Sequence, residues 1–402
     1  MDATLTRTAT TTKHASGQEQ PAAWGAVLAM ALSAFALIAS EFLPVSLLTP
    51  LAADLGISEG QAGQAIAISG AFALITSLLM APLAGRFERK RVLLALSLLM
   101  IVSGSVVAFA PNYALFMLGR ALLGVAIGGF WSLSAATTMR LVPQAQVPRA
   151  LAILNGGNAL ATVVAAPLGS LLGALVGWRG AFFCVVPLAA AAFLWKLVSL
   201  PPMPAPPAAG SNNVLRLLAR PAVALGMAAV SLFFMGQFAL FTYLRPFLEK
   251  VTGVDVSTLS LLLLAIGVAG VAGTGLIGRV LKGGLYRILI AIPVLMAAIA
   301  LALIMFGHSL AATGVLLALW GLAATAAPVG WWTWLARTLP REAEAGGGLM
   351  VAVIQLAIML GATVGGLLFD ARGHAATFAA SALLLALSAL LAWFAGRLEA
   401  KA

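Results

Sequence analysis

The stretch Ser40-Glu41-Phe42-Leu43-Pro44-Val45-Ser46-Leu47-Leu48-Thr49-Pro50 places a carboxylate within the first long apolar run, which begins near Trp24. Taking a carboxylate out of water is costly, and an acid kept in hydrocarbon commonly marks an ion, proton or substrate pathway. Pro44 and Pro50 each remove a backbone donor and loosen the helix that carries Glu41. An acid in a loosened helix suits a proton-coupled moving part. The alternative is a static pair with an arginine that only fixes packing.

Arg120, in Leu118-Gly119-Arg120-Ala121-Leu122-Leu123-Gly124, is the basic residue placed inside an apolar run. At about 1.5 Å per residue it sits ~11 Å from the outer end of its run, and Glu41 sits ~15 Å from the end of its own. The two can approach if their helices are neighbours. The guanidinium remains charged, so its field and the cost of desolvation act on Glu41 in opposite directions. A site balanced in that way can take up and release a proton as water access changes. Alternatively, Arg120 has a structural part only.

Further residues suggest a cavity and the surfaces that move around it. Trp131, Asn155, Asn158, Gln237, Tyr243, Trp331 and Gln355 lie in apolar runs and are candidates for substrate contact. Aromatic faces stack on planar heterocycles, and amides pair with base edges or sugar hydroxyls. Tryptophans also favour membrane interfaces, which is the competing explanation for Trp331. Pro167, Gly169, Gly173 and Gly177 form a bend point and a small-residue seam, because glycines four apart share a helix face and admit a close neighbour. The same spacing also serves plain packing.

Metal and enzyme chemistry find little support. Cys184 is the single cysteine, and the three histidines, His14, His308 and His374, fall in the tail or loops. No disulfide framework, metal cluster or nucleophile–base pair is expected. A channel would need polar rings that these runs do not supply.

The elements that hold these residues are transmembrane helices. Hydrophobic residues make up 62% of the 402-residue chain and charged residues 9%. Runs of about 20 apolar residues recur, and the length allows about twelve of them. The spans are read as 23–51, 61–84, 92–110, 113–138, 150–175, 181–199, 222–248, 257–280, 286–306, 310–336, 347–369 and 375–395. They group into a cytoplasmic tail at 1–22, a first bundle at 23–200, a Pro-rich irregular linker at 201–220, a second bundle at 221–396 and a tail at 397–402. The net charge of +11 does not indicate nucleic acid, because the basic residues sit in short loops. Eighteen of the 23 Lys and Arg fall on the side that carries both termini under this map, which places the termini in the cytoplasm.

The halves repeat weakly. Leu168-Gly169-Ser170-Leu171-Leu172 corresponds to Val364-Gly365-Gly366-Leu367-Leu368 at an offset of 196, which also carries Gly177 onto Gly373 and Phe182 onto Phe378. Arg140 and Pro143 match Arg337 and Pro340 at 197, and Gly85-Arg86 matches Gly278-Arg279 at 193. Parallel six-span repeats place a substrate site between the halves near the midplane. The expected fold is therefore an all-α membrane protein of twelve transmembrane helices in two pseudo-symmetric six-helix bundles.

These stretches resemble the major facilitator superfamily, and within it the twelve-span drug:proton antiporter branch. Arg120 with Gly124 is similar to that branch's fourth-span arginine motif. Ala166-Pro167-Leu168-Gly169-Ser170 is similar to its fifth-span antiporter motif, and Gly177-Trp178-Arg179-Gly180-Ala181-Phe182 to the turn that follows. The loop after the second span departs from the pattern, with Gly85 in place of the usual Asp and Glu88 in place of Gly. Within the branch, Glu41 to Pro50, Gly129-Phe130-Trp131, Gly236-Gln237-Phe238-Ala239, Pro328-Val329-Gly330-Trp331 and the run around Gln355 resemble bacterial purine ribonucleoside efflux permeases. The resemblance implies a monomeric inner-membrane antiporter with no cofactor, driven by the proton gradient, that exports purine ribonucleosides. Multidrug or sugar efflux by the same mechanism is the alternative.

Overall fold

The computed structural model describes residues 22–84, 87–204, 214–281, 284–340 and 342–399. Of the expected tails, residues 1–21 and 400–402 lie outside the described residues, as do the centre of the linker at 205–213 and Gly85 with Arg86. The chain forms α1 (Trp24–Leu55), α2 (Glu59–Ala84), α3 (Arg89–Ala108), α4 (Tyr113–Arg140), α5 (Val147–Phe183) and α6 (Val185–Ser199). After the linker come α7 (Pro221–Phe241), α8 (Leu244–Phe247), α9 (Val256–Val280), α10 (Leu285–Phe306), α11 (Leu310–Thr338) and α12 (Ala343–Glu399). Among the described residues there is no strand.

Among the described residues, ten helical stretches are long and apolar enough to cross a bilayer. Two of them, Gln144–Ser199 and Ala345–Glu399, have 56 and 55 residues, more than twice the ~20 that one crossing takes. Each contains one non-helical residue, Gly177 (φ 75°, ψ 165°) and Gly373 (φ 76°, ψ −173°). That backbone state is essentially closed to residues with a Cβ. It lets the chain reverse within one residue, so each long stretch supplies two spans and the total is twelve. The offset of 196 is thus realised in backbone geometry. A second pair follows it: α1 ends on Gly56 (φ 63°), and the turn after α8 ends on Gly253 (φ 71°), 197 positions later.

The structure corrects two readings of the sequence. The seventh span does not run unbroken through 222–248: α7 stops at Phe241, α8 is a four-residue helix, and Leu248–Thr252 is a single π-helical turn. The end of the linker is not irregular, because Val214–Ala219 winds into a 3-10 helix.

Each half has its own apolar core. In the first, Met30, Leu37, Leu123, Ile127 and Phe130 are buried together. In the second, Phe233, Met296, Trp320, Trp334 and Leu385 are. The halves meet through α2 with α12, α5 with α9, and α1 with α8. This meeting is tightest at the end that carries Gly56, Gly177, Gly253 and Gly373, where Tyr243 of the second half packs into a cluster with Leu43, Leu47, Ala62 and Phe116 of the first.

Candidate functional site

A proline inside a helix leaves the carbonyl four residues earlier without its usual donor. In α1 the prolines are Pro44 and Pro50, so the open carbonyls are those of Ser40 and Ser46. Water is scarce at this depth, and such groups need a protein donor. Arg120 is fully buried and supplies the first: Nη1 donates to the Ser40 carbonyl at 2.7 Å, Nη2 to the Glu41 carbonyl at 2.9 Å and Nε to the Ala65 carbonyl at 3.1 Å. Arg245 supplies the second, with Nη1 donating to the Ser46 carbonyl across the boundary between halves.

Glu41 and Arg120 are therefore brought together, but not as the sequence suggests. The guanidinium is occupied by main-chain oxygens. The Glu41 side chain, 4% exposed, makes no hydrogen bond or ion pair among the described residues and interacts with Arg120 only through space. Beside it, Phe42 stacks on Phe238 of α7 at 5.7 Å between ring centroids.

The seam in α5 faces the same segment. A Cβ on Gly169 would meet Ser46 Oγ at 2.6 Å and Leu43 Cδ2 at 2.8 Å, and one on Gly173 would collide with Leu47. Pro167 lies on a groove between α5 and α9 with Val164, Leu168, Ser257 and Leu261. Gly177 makes the reversal described above, and the turn is anchored by Trp178 Nε1 on Asp54 at 3.1 Å, by an Arg179–Asp54 ion pair, and by Arg179 Nη2 on the Ala110 carbonyl at 2.8 Å.

The seven residues considered for substrate contact are spread over both halves. Gln237 precedes Phe238 on α7, and among the described residues its buried Oε1 has no hydrogen-bond partner. Gln355 is 6% exposed on α12. Trp131 is half-buried edge-on to Phe130. Asn155 is exposed on α5 and donates to the Leu151 carbonyl at 2.9 Å, and Asn158 lies one turn on. Trp331 is buried edge-on to Trp334. Tyr243 is fully buried at the tight end, where its hydroxyl donates to the Ala362 carbonyl at 2.7 Å.

Three residues that sequence reading passed over are engaged here. Arg245 caps the Ser46 carbonyl from the other half, as described above. Asp370 accepts from Ser58 Oγ at 2.5 Å and from the Gly60 amide at 2.9 Å, so a carboxylate from one half sits on the α2 N-terminus of the other, where helix polarity favours it. Lys196 is buried in α6, donating to Ser97 Oγ over the face of Phe130. The signal for Arg245 was present in Pro50, which requires a donor for Ser46 without naming it.

Comparison with known proteins gives this architecture a family. The family model for the Major Facilitator Superfamily matches residues 30–350. A Pseudomonas aeruginosa protein named transcription regulatory protein OpdE is 61% identical over 388 residues, 96% of each chain. The purine ribonucleoside efflux pump NepI of Salmonella enteritidis is 44% identical over 368 residues, covering 92% of this chain and 93% of that one. Among solved structures, an inward-facing, unoccupied bacterial homologue of the human lysosomal transporter Spinster superposes with a TM-score of 0.80 at 16% identity, covering 94% of this chain and 98% of that one. A D-xylose–proton symporter gives 0.72 at 18%, covering 92% and 96%. A twelve-span chain whose halves repeat, with a proline-containing, acid-bearing first helix in contact with both, belongs to the Major Facilitator Superfamily of multi-pass membrane transporters.

Proposed function

We propose that this protein exports purine ribonucleosides, of the inosine and guanosine type, across the bacterial inner membrane in exchange for entering protons. The observation that carries the reading is Glu41: a buried carboxylate, without an ion-pair partner among the described residues, on a helix that contains Pro44 and lies where the halves meet. Arg120 holds the bend through the carbonyls of Ser40 and Glu41 and supplies a fixed positive charge nearby. Rocking of the halves then changes which aqueous phase reaches the carboxylate.

The purine assignment draws on the likeness to the Salmonella pump. It is supported by the Phe42–Phe238 stack and by the unpartnered Oε1 of Gln237, which can accept a hydrogen bond from a ring or exocyclic N–H. Gln355, Trp131, Asn155 and Asn158 complete the proposed cavity, with Trp331 and Tyr243 as walls. Pro167, Gly169, Gly173 and Gly177 let α5 pivot against α1. Residues 23–200 and 221–396 act as the two moving bodies, joined by a linker at 201–220. Both termini lie in the cytoplasm, as the excess of Lys and Arg on that side requires. The tight end then faces outward.

A second reading follows from the printed name of the Pseudomonas relative, which describes an effect on transcription. A pump that lowers the concentration of an intracellular ligand changes gene expression indirectly, so the two are compatible.

The test is uptake of labelled inosine into inverted vesicles under an imposed pH gradient, with sugars and dyes as competitors. Glu41→Gln is expected to abolish uphill accumulation while retaining binding. Wild-type accumulation by Glu41→Gln removes Glu41 as the proton carrier. Uptake of dyes without nucleosides favours multidrug efflux instead.

A further inference from the structure

The two carbonyls opened by the prolines of α1 differ in where their donors come from. The Ser40 carbonyl is served by Arg120, from the same half, and that contact need not break when the halves separate. The Ser46 carbonyl is served by Arg245, from the other half. Arg245 is 6% exposed, and its Nε is held by Glu249 at 2.7 Å, which leaves Nη1 free to reach α1. Opening of this end withdraws the guanidinium, and the Ser46 carbonyl then needs another donor.

One stands three residues away. The Thr49 hydroxyl is buried and has no hydrogen-bond partner among the described residues. A helical threonine can turn its Oγ1 to a carbonyl three or four residues before it by a rotation about χ1. The unused hydroxyl beside an arginine-capped carbonyl is a separate observation from the cap itself, and both belong to the gap that Pro50 makes.

We propose that the Ser46 carbonyl exchanges donors during the transport cycle. Arg245 caps it while this end is closed, and Thr49 caps it when this end is open. Arg245 is thereby a latch that ties closure of the halves to the bend in α1, and Thr49 makes the open state accessible. The proposal rests on the alternating-access reading above and is independent of the substrate.

The experiment measures distance distributions by double electron–electron resonance between spin labels at Pro111→Cys and Ala311→Cys. These positions are exposed, one in each half, and the lone native cysteine is replaced by serine. Purified protein in lipid nanodiscs, without substrate or pH gradient, is compared across variants. Arg245→Met is expected to raise the open-to-closed ratio about tenfold, the scale of one hydrogen bond to a charged group. Arg245→Lys, which keeps the charge and bulk, should give a smaller shift in the same direction and serves if the methionine variant folds poorly. Thr49→Val should lower the ratio, opposite in sign. Pro50→Ala returns an amide donor to the Ser46 carbonyl, so both shifts should shrink several-fold in that background.

Shifts of the same sign for Arg245→Met and Thr49→Val overturn the exchange. Undiminished shifts in the Pro50→Ala background overturn the role of the Ser46 carbonyl, as does a distance distribution that none of the variants moves. Opposing shifts that collapse with Pro50→Ala support the latch even where vesicles fail to accumulate inosine, a failure that falls on the substrate reading alone.

Discussion

The first helix of each half begins from a similar plan and ends differently. α1 carries Pro50, and Pro246 occupies the corresponding place 196 residues later. α1 nevertheless remains helical to Leu55, while the second copy stops at Phe241 and resumes only as α8 and a π turn. Each proline removes one donor, so the proline alone does not decide the outcome. The difference lies in what covers the freed carbonyls. In α1, arginines reach Ser40 and Ser46 from outside the helix. In the second copy the chain itself departs from the helix, and that departure carries Arg245 to the carbonyl of the first. The asymmetry of the repeat thus supplies the contact that joins the halves.

The largest test of this comparison is removal of Arg120. Arg120→Met leaves the Ser40 carbonyl without a donor and removes two further charge-assisted hydrogen bonds, to the Glu41 and Ala65 carbonyls, at about 1.5–3 kcal/mol for each bond, and the expected outcome is loss of folded protein or a large fall in melting temperature. Pro44→Ala, which restores the donor for Ser40, should recover part of that loss. Absence of any recovery would mean that the arginine acts through charge rather than through the bend.

A smaller effect is expected at the two reversals. Gly177→Ala and Gly373→Ala each force a Cβ into an extended, positive-φ conformation, at a cost of about 1–3 kcal/mol. Neither position has an atom within 4 Å of that Cβ, so the cost is conformational and the two variants should lose similar stability in chemical denaturation. A difference well above 1 kcal/mol breaks the equivalence of the halves. The smallest effect is expected from Pro246→Ala, which gives Thr242 a helical donor and favours extension of α7. It should loosen the tight end by about 1 kcal/mol, read as faster labelling of cysteines placed there.

Much of the architecture was legible in the sequence because hydrocarbon admits few solutions. Apolar runs and their loop charges gave the spans, and the offset carried Gly177 onto Gly373 before their shared backbone state was seen. Glu41 and Arg120 could be paired by depth alone. What depth could not tell was which oxygen the guanidinium would choose, since the Glu41 carboxylate and the main-chain carbonyls of Ser40 and Glu41 lie at similar depth. The break in α7 was hidden for a similar reason. Phe241-Thr242-Tyr243-Leu244 is as apolar as a continuing span, and helix continuity there depends on tertiary donors that no local pattern encodes. The role of Arg245, which depends on that break, was hidden with it.

The glycines of α2 set how closely the halves approach. At Gly60 a methyl group would lie 2.6 Å from the Gly366 carbonyl, and at Gly63 it would lie 2.6 Å from Cζ of Tyr243. Closure here is backbone against side chain with no spare volume, so a single added carbon acts as a wedge. Alanine at Gly63, where the nearest atoms all belong to Tyr243, would prop the gate ajar without touching a charged group, offering a means to trap the rarer conformer for structure determination.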